Sequence, residues 1–200
     1  GAGCSDFLDV QPKDKQSEKQ LFSTRGGFYM AVNGIYNKVA STALYGKNLS
    51  YELVDVISKR YLPLQVSTYL TALSGFDYTN SLVETELSNT WAAAYNTVLN
   101  CNVVLENIDE STGVLPVEES RVLKGEMLAV RAFLHFDLLR LFGWGDLKER
   151  PEILSRLSIP YVTDYNKEIT KQSTVKDVLE MEGYAVTTAF DGEQALKQVQ

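Results

Sequence analysis

The 200-residue chain has only one histidine and two cysteines, and these shortages exclude several kinds of site. A single histidine, with no CxxC or HExxH motif, argues against zinc, and there is no glycine-rich phosphate loop. Two cysteines are too few for a disulfide framework. No apolar run approaches the roughly 18 residues of a membrane-spanning helix. The sequence therefore predicts no metal site, no cofactor and no membrane span.

Basic residues are also scarce, with 19 Lys and Arg against 26 Asp and Glu, for a net charge of −7. Nucleic-acid binding relies on clustered basic side chains that neutralise phosphates. No basic stripe offsets the acidic balance, so nucleic acid is not expected as a partner.

The histidine lies in KGEMLAVRAFLHFDLLRLFG, residues 124–143, close to the best candidates for a reactive set. On a helix, Arg131 and His135 share a face, whereas Asp137 points elsewhere. A catalytic base and its orienting acid would have to converge, so the segment is interpreted as a packing helix and the protein as a non-enzyme. We expect the Arg131 guanidinium to be largely buried, paired with an acid or with helix carbonyls.

Helical periodicity accounts for most of the chain up to Gly143. It predicts short helices at 17–22 and 49–59, with a longer one across 28–39. Residues 61–79 contain four aromatic residues without a clean period, and are interpreted as a long loop with one short helix.

Two long helices follow this loop. A capping box at Ser81 opens the first, which runs through 82–108, and Gly113 and Pro116 mark a stop and a restart. The second helix covers 117–142. Because so few residues connect them, the two helices are predicted to be antiparallel neighbours.

The C-terminal third is less regular. LSIPYVT, residues 157–163, is predicted to be extended, and STVKDVLE starts one more helix with Thr174 as its N-cap. Residues 184–189 favour a strand and 193–199 an amphipathic helix.

Several motifs together carry a family resemblance. WAAAYNTVLNCNVVLENI, the RAFLHFDLLRLFG helix, SIPYVT and the lead GCSDFLDVQPKD resemble, in order and spacing, the N-terminal part of SusD/RagB-type outer-membrane lipoproteins. The resemblance covers roughly residues 3–179. It implies an all-α fold of tetratricopeptide-like helical hairpins.

The resemblance also implies a function. Such proteins bind glycans at the cell surface and work with a TonB-dependent, SusC-like outer-membrane transporter in oligosaccharide capture and uptake. Cys4 would carry the lipid anchor that holds the protein on the outer membrane, its only link to the bilayer. The alternative is a tetratricopeptide-like scaffold that binds a protein partner and no glycan.

Four aromatic residues are the candidate glycan contacts: Tyr61, Tyr69, Phe76 and Tyr78. They lie near where the family places some of its glycan-facing rings, and a flat ring can cover the apolar C–H face of a sugar. The other interpretation is that these rings only hold a long loop in place.

The last residues resemble a different family. LEMEGYAVTTAFDGEQALKQVQ is similar to a piece of a response-regulator receiver domain, without the phosphoacceptor aspartate. The chain is therefore divided into a SusD-like helical region, residues 1–179, and a receiver-like fragment with a short strand and helix, residues 180–200. Because a lone strand lacks ladder partners, the fragment is not expected to be an independent domain.

Overall fold

The computed structural model describes residues 15–61, 67–110, 113–165 and 169–181. Within these ranges the protein is mostly helical, which confirms the all-α prediction, and none of the helices is long and apolar enough to cross a membrane. The elements are α1 Lys15–Leu21, α2 Arg25–Val39, α3 Leu53–Ile57, α4 Thr68–Ser74, α5 Ser81–Glu110, α6 Val117–Phe142, a 3-10 helix Pro151–Ser155, β1 Leu157–Pro160, β2 Gln172–Thr174 and α7 Val175–Met181. The described residues divide into two compact units, those of 15–134 with 163–165 and those of 135–162 with 169–181.

The α5–α6 hairpin dominates the first unit and is confirmed as predicted. Lys124 forms a 2.5 Å ion pair with Asp109, and Arg131 donates to Asn102 at 2.8 Å, so later residues of α6 meet earlier residues of α5. The two helices are therefore antiparallel. Gly113 in their connection has a φ of 89°, a conformation that glycine adopts without steric cost.

Three helix boundaries differ from the sequence prediction. The side chain that caps α5 is Asn80, whose Oδ1 accepts from the Leu82 amide at 3.0 Å, and Ser81 is already helical. Asparagine and serine cap equally well, so the choice between adjacent residues is not encoded locally. α1 begins at Lys15, ahead of the predicted capping box. α3 covers only Leu53–Ile57, because turns occupy residues 41–52.

A hydrophobic cluster of the first unit lies among α1, α2, α5 and α6. Its buried residues come from these four helices, the α1–α2 turn and the α5–α6 connection: Leu21, Phe22, Phe28, Ala31, Val32, Ile35, Cys101, Val103, Val104, Leu105, Ile108, Leu115, Leu123 and Met127. α1 and α2 meet so closely that a Cβ on Gly27 would lie 1.7 Å from the Leu21 carbonyl oxygen. Only glycine fits this junction without moving the backbone.

The second unit combines the end of α6 with the 3-10 helix, the β1–β2 sheet and α7. The strands pair antiparallel, and α7 packs against both strands and the 3-10 helix. Thr174 caps α7 as predicted, since its Oγ1 accepts from the Asp177 amide at 3.1 Å. The buried apolar residues of this unit are Leu138, Leu139, Ile153, Ile159, Val175 and Val178.

Candidate functional site

His135 and Asp137 each contact a different part of the second unit. His135 is fully buried; its Nε2 accepts from the Val162 amide at 3.0 Å and its ring stacks on Tyr161, with centroids 4.2 Å apart. Asp137 is buried and forms a 2.8 Å ion pair with Arg140, one turn along α6. Both polar side chains thus stabilise the packing of the second unit.

Arg131 lies in the first unit and connects the hairpin to the segment 163–165. Its Nη1 donates to Asn102 Oδ1 at 2.8 Å and to the Thr163 carbonyl at 3.3 Å, and Asn102 Nδ2 donates to the Asp164 carbonyl at 3.4 Å. Arg131 is half-buried, so the expectation of a largely buried guanidinium is met in part, and its Nη1 contacts the carbonyl of Thr163, which lies outside the helices.

The most prominent exposed aromatic pair is Phe76 and Tyr78. Each side chain is nearly half exposed, and the ring centroids are 6.4 Å apart with 43° between the planes. Phe76 follows the end of α4 and has a φ of 59°, a left-handed conformation that is uncommon outside glycine and asparagine. The two rings therefore project from a turn with a strained backbone.

Lys59 holds this turn. Its Nζ lies 4.0 Å from the centroid of the Phe76 ring and donates to the Ser74 carbonyl. Lys59 also has a left-handed φ, 57°. Sequence reasoning missed Lys59, because nothing in the residue type signals a positive φ or a contact with a ring 17 positions away.

The other two aromatic candidates lie in different surroundings. Tyr61 is exposed, and its hydroxyl donates to the Tyr51 carbonyl at 2.9 Å. Tyr69 is half-buried, and its hydroxyl is buried without a hydrogen-bond partner among the described residues. Burial, and then the nearby charges of Glu52 and Glu86, raise the pKa of Tyr69. Of the four candidates, three present rings to solvent and Tyr69 faces inward.

Two further aromatic residues and one cysteine have packing roles. Trp91 and Tyr95 are half-buried and contact each other on α5, with centroids 4.8 Å apart. Cys101 is fully buried, and burial raises the pKa of its thiol to about 12. Cys4 and the receiver-like residues beyond Met181 lie outside the described residues. Within the described ranges, no three His, Cys, Asp or Glu side chains gather as a metal site requires.

Comparison with known proteins gives two matches. A SusD-like family described as "Starch-binding associating with outer membrane" matches residues 6–188. A SusD-like protein of Formosa agariphila is 22% identical over 182 residues, which cover 86% of this chain and 33% of the relative. The chain thus spans about a third of the length of that curated relative. No solved structure matches the chain significantly.

Proposed function

The chain belongs to the SusD-like family, described as starch-binding and associating with the outer membrane, and from this membership we propose that it captures oligosaccharides at the cell surface through the Phe76–Tyr78 pair. The observation that supports this assignment is the exposure of two neighbouring rings on a turn that Lys59 braces. A pair of rings left partly in water at a strained turn is typical of a binding surface, since strain of this kind clusters at ligand sites.

The chemistry of the pair suits a sugar. Pyranose rings carry apolar C–H faces that an aromatic ring can cover, and an aromatic side chain has few rotamers to lose on binding. The Tyr78 hydroxyl can donate to or accept from a sugar hydroxyl, and the Lys59 ammonium can donate to one. Binding of this type needs no proton transfer or covalent step, so we infer capture without cleavage.

Tyr61 extends the same surface in this proposal, whereas Tyr69 supports it from within. The exposed Tyr61 ring is held by its hydrogen bond to Tyr51. Tyr69 belongs to α4, the helix that ends at the Phe76 turn. Removal of Tyr69 is therefore expected to lower stability and glycan affinity together, whereas removal of Tyr61 lowers affinity alone.

The binding experiment is a calorimetric titration with maltoheptaose. Phe76→Gly removes the ring without straining the left-handed backbone, and we expect affinity to fall at least about tenfold, or about 1.4 kcal/mol. Phe133→Ala is the matched control, because Phe133 is an exposed phenylalanine on α6, outside this turn. Tyr61, Phe76 and Tyr78 together are called the Phe76 surface. Equal affinities of Phe76→Gly and the wild-type chain for maltoheptaose would rule out this surface as the binding site.

The proposal also covers how the protein is held on the membrane and which protein it works with. We infer that Cys4 carries a lipid anchor on the outer membrane and that the bound glycan passes to a TonB-dependent, SusC-like transporter. Cys4→Ala in the full protein, expressed with its own secretion signal, is expected to release it from the membrane fraction. Co-purification with the transporter, with and without maltoheptaose, tests the partnership. A Cys4→Ala protein that stays membrane-bound contradicts the anchor.

A protein-binding scaffold is the second candidate, favoured by the exposed aromatics of α2. Tyr29 donates to Glu119 of α6 at 3.1 Å, and both Tyr29 and Tyr36 keep exposed surface. Tyrosines of this kind are enriched at protein interfaces. If the protein is only a protein-binding scaffold, neither the wild-type chain nor Phe76→Gly binds maltoheptaose in the titration.

A further inference from the structure

A groove of about 680 Å³ lies between the α5–α6 hairpin and the segment 163–165. Its volume falls within the roughly 300–1,000 Å³ of small-molecule sites. The groove is lined from α5 by Asn102, Glu106 and Asp109. It is lined from α6 by Lys124, Leu128 and Arg131, and from the segment 163–165 by Tyr165. None of the residues of the Phe76 surface contributes to it.

The two ends of the groove are held by hydrogen bonds and an ion pair. At one end, Arg131 and Asn102 tie the carbonyls of Thr163 and Asp164 to the hairpin. Asn102 is itself 2% exposed, so this end is fixed by a buried amide. At the other end, the Lys124–Asp109 ion pair joins the helices. From 102 to 109 the helix rises about 10 Å, enough for two linked pyranose rings.

Between these ends the wall is partly apolar. Leu128 is 39% exposed although it is a large aliphatic residue. The Tyr165 ring packs against the hydrophobic core on one side and lines the groove as well. Burial raises the pKa of the Tyr165 hydroxyl, followed by the charges of Glu18 and Glu106, so this hydroxyl stays protonated and can donate.

The charge of the lining selects among ligands. Three carboxylates, of Glu106, Asp109 and Asp164, face two cations, of Lys124 and Arg131, which leaves an excess negative charge. An anionic ligand such as a phosphate or a uronate would be repelled. Neutral hydroxyl groups can donate to the carboxylates and accept from the cationic groups of Lys124 and Arg131, and C–H faces can cover Leu128 and Tyr165.

We propose that this groove is a second binding site, for one or two neutral sugar units of a glycan. The proposal rests on the glycan-binding function above and extends it, because it gives the chain two separate sites. A glycan bound at the Phe76 surface is then also held at the groove, and binding at two linked points raises the overall affinity of the protein for the glycan.

The test is an amide NMR titration of the full 200-residue chain with maltotriose. We expect shifts in two separate sets of residues, one near 59–78 and one within 102–109, 124–131 and 163–165. Leu128→Trp fills the groove and should abolish the second set alone. Val122→Trp is the matched control, because Val122 is an exposed apolar residue on α6 outside the groove. Glu106→Gln, at an exposed position, should weaken groove binding severalfold without unfolding the chain.

Each outcome is decisive. Groove shifts that persist in Phe76→Gly and vanish in Leu128→Trp support the second site. Shifts confined to 59–78 overturn it and leave the proposed function intact. Shifts in the groove with glucuronic acid, but not with maltotriose, overturn the neutral-sugar assignment. No shifts anywhere overturn both the groove site and the proposed function.

Discussion

The Lys59 ammonium lies 4.0 Å from the centroid of the Phe76 ring, and both residues have left-handed backbones. Such a conformation costs an L-residue about 1–2 kcal/mol. A cation–π contact at an exposed site returns about 0.5–1 kcal/mol. The contact therefore offsets part of the strain, and it fixes the direction in which the Phe76 ring projects.

The first prediction separates the backbone of Phe76 from its side chain. Both Phe76→Gly and Phe76→Ala remove the ring, but only alanine keeps the left-handed strain, so the glycine variant should be about 1 kcal/mol more stable. Urea denaturation measures the difference. Tyr78 does not have a positive φ, so there the order should reverse, with Tyr78→Ala more stable than Tyr78→Gly. The same order at both positions would contradict this account of the turn.

The second prediction concerns Arg131. Arg131→Met leaves the Asn102 side-chain oxygen, at a nearly fully buried residue, without its guanidinium donor. A hydrogen bond to a charged donor contributes about 1.5–3 kcal/mol, and thermal or urea unfolding can detect its loss. The control is Arg121→Met, because Arg121 pairs with Glu118 on the exposed side of α6 and should cost about 0.5 kcal/mol or less. Equal losses in the two variants would show that the Asn102 bond contributes nothing.

The third prediction tests the core of the first unit. Met127 is fully buried in the cluster formed with α1, α2 and α5. Met127→Ala leaves a cavity and should cost about 2–5 kcal/mol of unfolding free energy. Val122→Ala, five residues earlier at an exposed position, should stay within about 0.5 kcal/mol of the wild type. A Met127→Ala chain as stable as Val122→Ala would mean that the helices do not pack as described.

The fourth prediction is a loss of stability at alkaline pH. Burial raises the pKa of Tyr36, Tyr69, Tyr95 and Tyr165 above the ordinary 10.0, and that of Cys101 from 9.0 to about 12. The unfolded chain thus loses these protons first. Their contribution is fully present below the unfolded values of 9.0 and 10.0, and is lost as pH rises through the folded values.

Denaturant unfolding between about pH 8 and pH 11 measures this loss, with tyrosinate absorbance reporting which state has ionised. Tyr95→Phe removes one of the titrating groups and should make the decline shallower. Tyr61→Phe is the comparison, because the Tyr61 side chain is exposed. Stability that is flat across this range, or equal slopes in the two variants, would contradict burial of these hydroxyls.

Much of the helical framework could be predicted from local pattern. α6 begins and ends at the predicted residues, Val117 and Phe142, with Pro116 directly before it and Gly143 directly after it. A Cβ on Gly143 would lie 2.4 Å from the Leu139 carbonyl oxygen, so only glycine fits at this position without moving the backbone. The N-cap of α7 at Thr174 could also be predicted from the sequence, because it depends only on residues that are neighbours along the chain.

What depended on distant partners could not be predicted. β2, Gln172–Thr174, is three residues long and forms because β1 lies beside it. The left-handed Lys59 and the inward-facing hydroxyl of Tyr69 have no local signal either. The four aromatics could be named as a group from the sequence, but their division into three exposed rings and one inward-facing ring required the tertiary structure.

The α5–α6 hairpin also carries a consequence for the order of folding. Its helices are joined by a short connection through Gly113, so the entropy lost in bringing them together is small and their contacts can form early. The bond from Arg131 to Thr163 closes a loop of 32 residues and needs the hairpin already in place. A mutational φ-value analysis of folding kinetics compares the effect of a substitution on the folding rate with its effect on stability. We expect this ratio to be near one for residues on the facing sides of the hairpin and near zero for residues 163–165. The wall that completes the groove would then be added only after the folding transition state.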